Sequence, residues 1–405
     1  MGLARTDTKE SWIRLVVIFL IASFGNVGMW SIVTVMPSIE HEFFLDRSQA
    51  SLPYTTTMIG FAIGNWIFGR LLDRFGLFYI LVGATFFIVG GFFLAASTKT
   101  IFAFSTVQFF LGMGTAGSFA PLITEISHWF KKYRGIAVAL VASANYFSGA
   151  MSTLILVETL NTHGWRFVYF LLGLSCFVII VPFGWLLSKN TIPKNPDFIP
   201  IKTEYISTLK ISHLTYLLGL AGISCCIAMS MPQVHIVSYC VGLGFGNIIG
   251  GQMLSLMLIG GVFSRLIFGF IADKLGGIKT LLIGSILQCL TLFLFLPFDG
   301  LVSLYLVSFL FGLSQGGIVP SYAIIVREFM PEEEAGSKIG FVVMMTIVGM
   351  AFGGLLSGWI FDVTGSYRAA FLNGIVWNCV NFVIIIFIYF QSKRVLNKIP
   401  VRFFN

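Results

Sequence analysis

The chain is 405 residues long, 57% hydrophobic and only 10% charged, with a mean hydropathy of +0.92. Soluble domains carry roughly a quarter charged residues, so an ordinary soluble protein is excluded. The net charge of +8 follows from where a membrane chain places its cations, and it implies no nucleic-acid partner.

A helix crossing hydrocarbon must satisfy its own backbone and needs about 20 apolar residues. Twelve stretches qualify: 12–36, 51–72, 77–96, 101–130, 135–160, 167–187, 215–239, 248–272, 278–298, 301–329, 336–361 and 369–391. The first is too long for a signal-peptide core and has no small-residue cleavage site, so it is expected to stay in the mature protein. The one real linker carries Lys189, Pro193, Lys194, Pro196, Pro200 and Lys202. It divides the chain into a six-helix unit 1–187, a cytoplasmic tether 188–209 and a second unit 210–405. The remaining loops are short, and the acidic triplet Glu332-Glu333-Glu334 after Pro331 is expected to start a helix or turn.

Cations fix the orientation. Twenty of the 25 Lys and Arg residues fall on one side of the twelve spans, four (Arg47, Lys99, Arg166, Arg368) on the other, and Arg265 within a span. That split places both termini in the cytoplasm of an inner or plasma membrane. The 43 glycines suit helices packed closely in lipid. Cys176, Cys225, Cys226, Cys240, Cys289 and Cys379 lie in apolar helix sequence, and they read as buried small hydrophobes rather than disulfides or a metal site. No cofactor, metal or enzyme activity is expected.

Phe68-Gly69-Arg70-Leu71-Leu72-Asp73-Arg74-Phe75-Gly76 recurs 200 positions later as Phe268-Gly269-Phe270-Ile271-Ala272-Asp273-Lys274-Leu275-Gly276. Gly112 and Pro121 likewise pair with Gly312 and Pro320, and Gly164-Trp165-Arg166 with Gly365-Ser366-Tyr367-Arg368. A period near half the length implies two parallel copies of one unit, the plan of transporters whose halves rock about a shared site. Two enzyme-like motifs fail on context. Gly112-Met113-Gly114-Thr115-Ala116-Gly117 spells a dinucleotide fingerprint without a preceding strand, and Gly312-Leu313-Ser314-Gln315-Gly316 spells a nucleophile elbow inside a span. They are expected to form the glycine-rich face of one repeated helix.

The Asp73-Arg74-x-Gly76 and Asp273-Lys274-x-Gly276 turns resemble the loop signature of the major facilitator superfamily, over essentially the whole chain. The resemblance implies an all-α membrane protein, with twelve transmembrane helices in two parallel six-helix repeats around a central cavity. It also implies gating roles for Asp73, Arg74, Gly76, Asp273, Lys274 and Gly276, since a carboxylate near a helix N-terminus can lock one face. A plain polar turn would explain one copy, but not two in register. Leu77-Phe78 replace the basic pair that usually follows the signature.

Arg265 stands eight residues before Asp273, about 12 Å up the helix at 1.5 Å per residue. A cation at that depth is costly and points to function; the bland reading is a side chain snorkelling to water. Its surroundings, Gly260 to Asp273, are similar to helix 8 of the monocarboxylate-porter and oxalate/formate-antiporter branch. The segment His128-Trp129-Phe130-Lys131-Lys132-Tyr133-Arg134-Gly135-Ile136-Ala137 is similar to a loop of that branch. The resemblance makes Arg265 the anchor of a substrate carboxylate. A second cation of the oxalate carrier falls on Thr346, so one cation favours a monoanion. The acid of animal monocarboxylate carriers falls on Gly261, and a co-transported proton rests on the family alone.

Further candidates for substrate binding are Asn26, Trp30, Asn145, Tyr146, Gln233, Gln315 and Tyr322. Thr34, His235, Tyr239 and Ser314 are softer polar residues within the spans. Glu125 and His128 are expected to serve the basic loop, and His235 to be an ordinary hydrogen-bonding histidine. The sequence thus reads as a monomeric secondary transporter of a small organic anion in a lipid bilayer, most of all a monocarboxylate. The alternatives are a multidrug or metabolite efflux antiporter and a non-transporting membrane sensor on the same fold.

Overall fold

The computed structural model describes residues 7–130, 133–188, 209–330 and 332–396. Most of the tether 188–209 and several of the expected cytoplasmic cations lie outside the described residues. Fourteen helices form the described chain: α1 (Lys9–Gly25), α2 (Val27–Phe43), α3 (Arg47–Phe75), α4 (Leu77–Ser97), α5 (Ile101–Gly117), α6 (Ala120–Trp129) and α7 (Arg134–Ser188), then α8 (Ile211–Gly242), α9 (Gly246–Leu275), α10 (Gly277–Leu294), α11 (Leu301–Gln315), α12 (Ile318–Phe329), α13 (Glu332–Thr364) and α14 (Tyr367–Leu396).

Among the described residues ten segments are long and apolar enough to cross a membrane. Local chemistry accounts for the difference from twelve. The two stretches 135–160 and 167–187 run together as α7, which turns at Gly164 (φ 79°, ψ 168°). Helix α3 is diluted by Ser48, Gln49, Ser51 and Thr55-Thr56-Thr57, which lowers its hydropathy. Three stretches expected to be continuous are jointed, as α1–α2, α5–α6 and α11–α12. At the first joint the Asn26 amide donates to the Ala22 carbonyl (2.7 Å) and to the Ser118 carbonyl at the second joint (3.2 Å). A polar side chain that bonds backbone in this way competes with the regular helix ladder.

The duplicated motif ends on matching turns. Gly76 (φ 78°) and Gly276 (φ 80°) each link two helices through one residue, a conformation only glycine adopts without strain. One end of the molecule carries these turns and the start of α1. The other end carries the α2–α3, α8–α9 and α13–α14 connections and the turn at Gly164. Helix α5 lies so close on α3 that a Cβ at Gly112 would meet the Thr57 carbonyl oxygen. A Cβ at Gly312 of α11 would meet the Met257 carbonyl of α9 in the same way. The glycine-rich enzyme-like motifs are therefore helix-packing faces. Across the molecule α13 lies along α3, and α9 along α7. Of the cysteines, Cys379 is exposed and Cys289 half-buried, contrary to the expectation of burial for all six; all are free.

Candidate functional site

Arg265 does not point away from the protein. Its guanidinium donates through one Nη to the Ala142 carbonyl of α7 and lies over the Tyr146 ring, 4.1 Å from the centroid, where the ring quadrupole attracts a cation. Its Nε is buried and has no partner. Gly261, one turn earlier, makes room for this arrangement, because a Cβ there would stand 2.8 Å from Tyr146 Cδ2. The acidic side chain found there in the resembled carriers would displace the ring that supports the arginine.

From Tyr146 a continuous polar chain runs into α1 and α2. Trp30 lies 6.0 Å from Tyr146 between ring centroids, and its Nε1 donates to Asn145 Oδ1 (3.3 Å). Asn145 Nδ2 donates to Asn26 Oδ1 (3.0 Å). The structure thus brings together Asn26, Trp30, Asn145, Tyr146 and Arg265, five of the eight residues expected to bind substrate. Below them Thr34 and Thr153 share a hydrogen bond of 2.9 Å.

The other three stand apart from that chain. Gln233 and Gln315 are fully buried, and neither amide atom of either residue has a partner. An unmade hydrogen bond on a buried polar group costs about 1–3 kcal/mol. Tyr322 is engaged elsewhere: its hydroxyl donates to Asn381 Oδ1 (2.8 Å), and Asn381 Nδ2 donates to Ser285 Oγ (2.7 Å). Thr346, where a second cation would fall, packs against Gly222 of α8 and donates to the Val343 carbonyl (2.7 Å). His235 is buried, with Nε2 2.8 Å from the Gly354 oxygen, as an ordinary hydrogen-bonding histidine would be.

The gating candidates sit at the turns. The Asp73 side chain lies outside the described residues. Arg74 is exposed, with its guanidinium 5.3 Å from the Phe75 ring centroid. Asp273 and Lys274 are exposed. The carboxylate that caps α10 is instead Glu328 of α12, which accepts from the Gly277 N–H at 3.0 and 3.1 Å. At the opposite end Asp362 of α13 accepts from the N–H groups of Arg47 (2.9 Å) and Ser48 (2.8 Å). It therefore caps α3 from a distant part of the chain, while Arg47 pairs with Glu40. Both caps escaped sequence reading, because a carboxylate at a helix end gives no sign of which N-terminus it will meet.

Glu125 is a correction. Rather than serving the basic loop, it accepts from Arg14 Nη2 (2.6 Å) and Trp129 Nε1 (3.0 Å), with Arg14 4.3 Å above the Trp129 ring. The signal was an arginine in the second turn of a hydrophobic helix. A cavity of about 330 Å³ opens between α3 and α13, lined by apolar side chains from Met58 to Trp66 and from Met344 to Ala351. Arg265 does not line it.

Residues 18–303 and 251–402 match the Major Facilitator Superfamily. The agnestins efflux protein AgnL12 of Paecilomyces divaricatus is 24% identical over 91% of this chain and 85% of its own. Monocarboxylate transporter 13 of Rattus norvegicus is 23% identical over 80% of this chain and 75% of its own. Among solved structures, a bacterial homologue of the human lysosomal transporter Spinster, inward-facing and unoccupied, superposes with a TM-score of 0.74 at 11% identity. It covers 98% of this chain and all of that one. Residues matched along almost the whole length, an all-helical fold and the shared architecture converge on one statement: the chain belongs to the major facilitator superfamily.

Proposed function

We propose that the chain is a secondary transporter of a small organic monoanion, most of all a monocarboxylate, in which Arg265 holds the carboxylate. Two six-helix units, 1–187 and 210–405, cross the membrane twelve times with both termini in the cytoplasm. They alternate access to a central site, driven by an ion or substrate gradient, and Asp73 and Asp273 act at the turns that separate during the cycle. The observation that carries the reading is the buried, unpartnered Nε of a half-buried cation held between α9 and α7. Desolvating a guanidinium is expensive, and an incompletely bonded one in a membrane protein marks an anion site. A planar guanidinium fork matches a carboxylate, and one cation balances one negative charge. The efflux and monocarboxylate functions named for the two relatives differ, so the substrate class rests on Arg265.

The test is binding and flux measured side by side. Small carboxylates, screened by thermal shift, stabilise wild-type protein by RT ln(1 + [L]/Kd). Arg265→Ala should weaken that binding by about 10- to 150-fold while the protein still inserts and folds, since a charged hydrogen bond contributes about 1.5–3 kcal/mol. Arg265→Lys should also bind poorly, because an ammonium lacks the two-point fork. Wild-type carboxylate affinity in Arg265→Ala, with undiminished uptake of labelled lactate or pyruvate into proteoliposomes, would leave a transporter of unassigned substrate.

A further inference from the structure

Helices α3 and α13 lie on opposite sides of the tether, and they meet unevenly along their length. At the end remote from the Gly76 and Gly276 turns they are fastened together. Asp362 of α13 accepts from the backbone N–H of Arg47 through Oδ1 (2.9 Å) and of Ser48 through Oδ2 (2.8 Å). The Arg47 guanidinium lies 5.4 Å from the centroid of the neighbouring Phe361 ring. The backbones touch at Gly358, where a Cβ would stand 2.8 Å from the Arg47 carbonyl oxygen and 3.0 Å from Ser48 Cα. One turn on, a Cβ at Gly354 would stand 3.1 Å from Tyr54 Cδ1, and the Thr55 hydroxyl donates to the Ala351 carbonyl (3.1 Å). Beyond Ala351 the same two helices enclose the cavity of about 330 Å³, from Met58 to Trp66 on one side and from Ala351 to Met344 on the other. The pair is closed at one end and parted toward the other.

The fastening has the chemistry of a latch. The first N–H groups of a helix have no partner inside it, and the positive end of the helix dipole attracts a carboxylate. Here the carboxylate comes from the other side of the tether, so both hydrogen bonds last only while the two helix ends stay together. Asp362 is exposed, so water can take over its partners on separation and no buried group is left unpaired. The Arg47 side chain is already paired with Glu40 of its own unit, which leaves the backbone N–H groups as what Asp362 holds. By the Gly164–Gly365 correspondence the matching residue of α7 is Asn161, a neutral amide. The repeated helix therefore has no general need of a carboxylate here. The related pair, α9 and α7, meets through Gly251 against Val157 and a hydrogen bond from Ser255 to the Ala150 carbonyl (2.9 Å).

We infer that Asp362 is a gating residue: its cap on α3 latches this end shut, and it breaks each time the units rock open there. The inference rests on the alternating-access reading and on no particular substrate. A contact made in one conformation and lost in the other shifts their populations by its own strength. Asp73 and Asp273 stand at the turns, and Asp362 acts at the opposite end.

The experiment reads distances between spin labels on full-length protein in lipid nanodiscs, with Cys289 and Cys379 replaced by serine; the other four cysteines are buried. One label pair, Lys99→Cys with Gly300→Cys, spans the latched end at the α4–α5 and α10–α11 connections. The second pair, Phe75→Cys with Leu275→Cys, spans the turn end at two exposed positions. Asp362→Asn keeps the shape but loses the charge and one acceptor. It should shift the populations about tenfold toward a longer distance at the latched end and a shorter one at the turns. Gly358→Leu is the comparison, a wedge against the Arg47–Ser48 backbone that should shift both pairs the same way by volume alone. A merely structural cap gives a lower melting temperature in Asp362→Asn with both distances as in wild type. That result, beside a wedge that still shifts both pairs, overturns the latch and leaves alternating access standing. Lengthening confined to the latched end would be fraying of α3 and overturns it as well. If neither variant moves the two ends in opposite senses, alternating access falls and the latch with it.

Discussion

The buried carboxamides Asn26, Gln108 and Asn145 of the first half and Gln233 and Gln315 of the second are treated in opposite ways. Asn26, Asn145 and Gln108 are each hydrogen-bonded, Gln108 to Tyr169 (2.6 Å) and Thr57 (3.2 Å), and Asn26 and Asn145 to one another. Gln233 and Gln315 are as deeply buried and bonded to nothing. The contrast separates two jobs that a polar residue in a span can have. A bonded amide fixes helices relative to one another, and in a membrane each such bond contributes about 0.6–2 kcal/mol. An unbonded one lowers stability and persists where a ligand completes it. Asn26, Gln108 and Asn145 belong to a finished scaffold, whereas Gln233 and Gln315 are left open within a second half whose Gln288 and Asn381 are bonded.

The comparison breaks most visibly at its stiffest point. Arg14 is 6% exposed and held by Glu125, Trp129 and the Leu187 carbonyl (3.1 Å). Glu125→Ala strips the carboxylate from a buried cation, which typically costs about 3–5 kcal/mol. The apparent melting temperature in detergent should fall by about 5 °C or more, with carboxylate affinity at Arg265 unchanged in the protein that survives. Wild-type melting in this variant would mean that the scaffold is not stiff where it is most polar. Next in size is Asn145→Ala, which removes the acceptor of Trp30 and the donor to Asn26. A loss of about 2 kcal/mol is expected, together with weaker carboxylate binding, because Trp30 packs against the Tyr146 ring that underlies Arg265. A variant that melted early but bound normally would detach this chain of hydrogen bonds from the anion site.

Much of the fold was legible because a 200-residue period leaves the same glycines at the same places. Gly76 and Gly276 take the same turn, and Gly112 and Gly312 the same close helix contact. The joints in α1–α2, α5–α6 and α11–α12 were not legible. Asn26 reads as one polar residue in an apolar run, and the carbonyl it reaches lies 92 residues away. The grouping of Asn26, Trp30, Asn145, Tyr146 and Arg265 followed from the cost of polar groups in hydrocarbon, which leaves few candidates. The same rule could not separate Tyr322, whose hydroxyl is spent on Asn381, from Tyr54, whose hydroxyl is not. Polarity is written in the sequence, but whether a hydrogen bond is made depends on packing between distant helices.

Gln233 gives the smallest effect and the most discriminating sign. Replacing an unbonded buried amide by a leucine of similar volume removes a desolvation penalty that no hydrogen bond offsets. Gln233→Leu should therefore stabilise the ligand-free protein by about 1 kcal/mol, a rise of about 1–3 °C in melting temperature. If Gln233 completes its bonds only with ligand, the same change should weaken carboxylate binding by about three- to tenfold, so stability and affinity move in opposite directions. Asn145→Ala moves both downward, and that difference in sign is what sorts a ligand-seeking amide from a structural one. Should Gln233→Leu lower the melting temperature as Asn145→Ala does, Gln233 has a partner in the resting protein, and the division between a finished and an open region disappears.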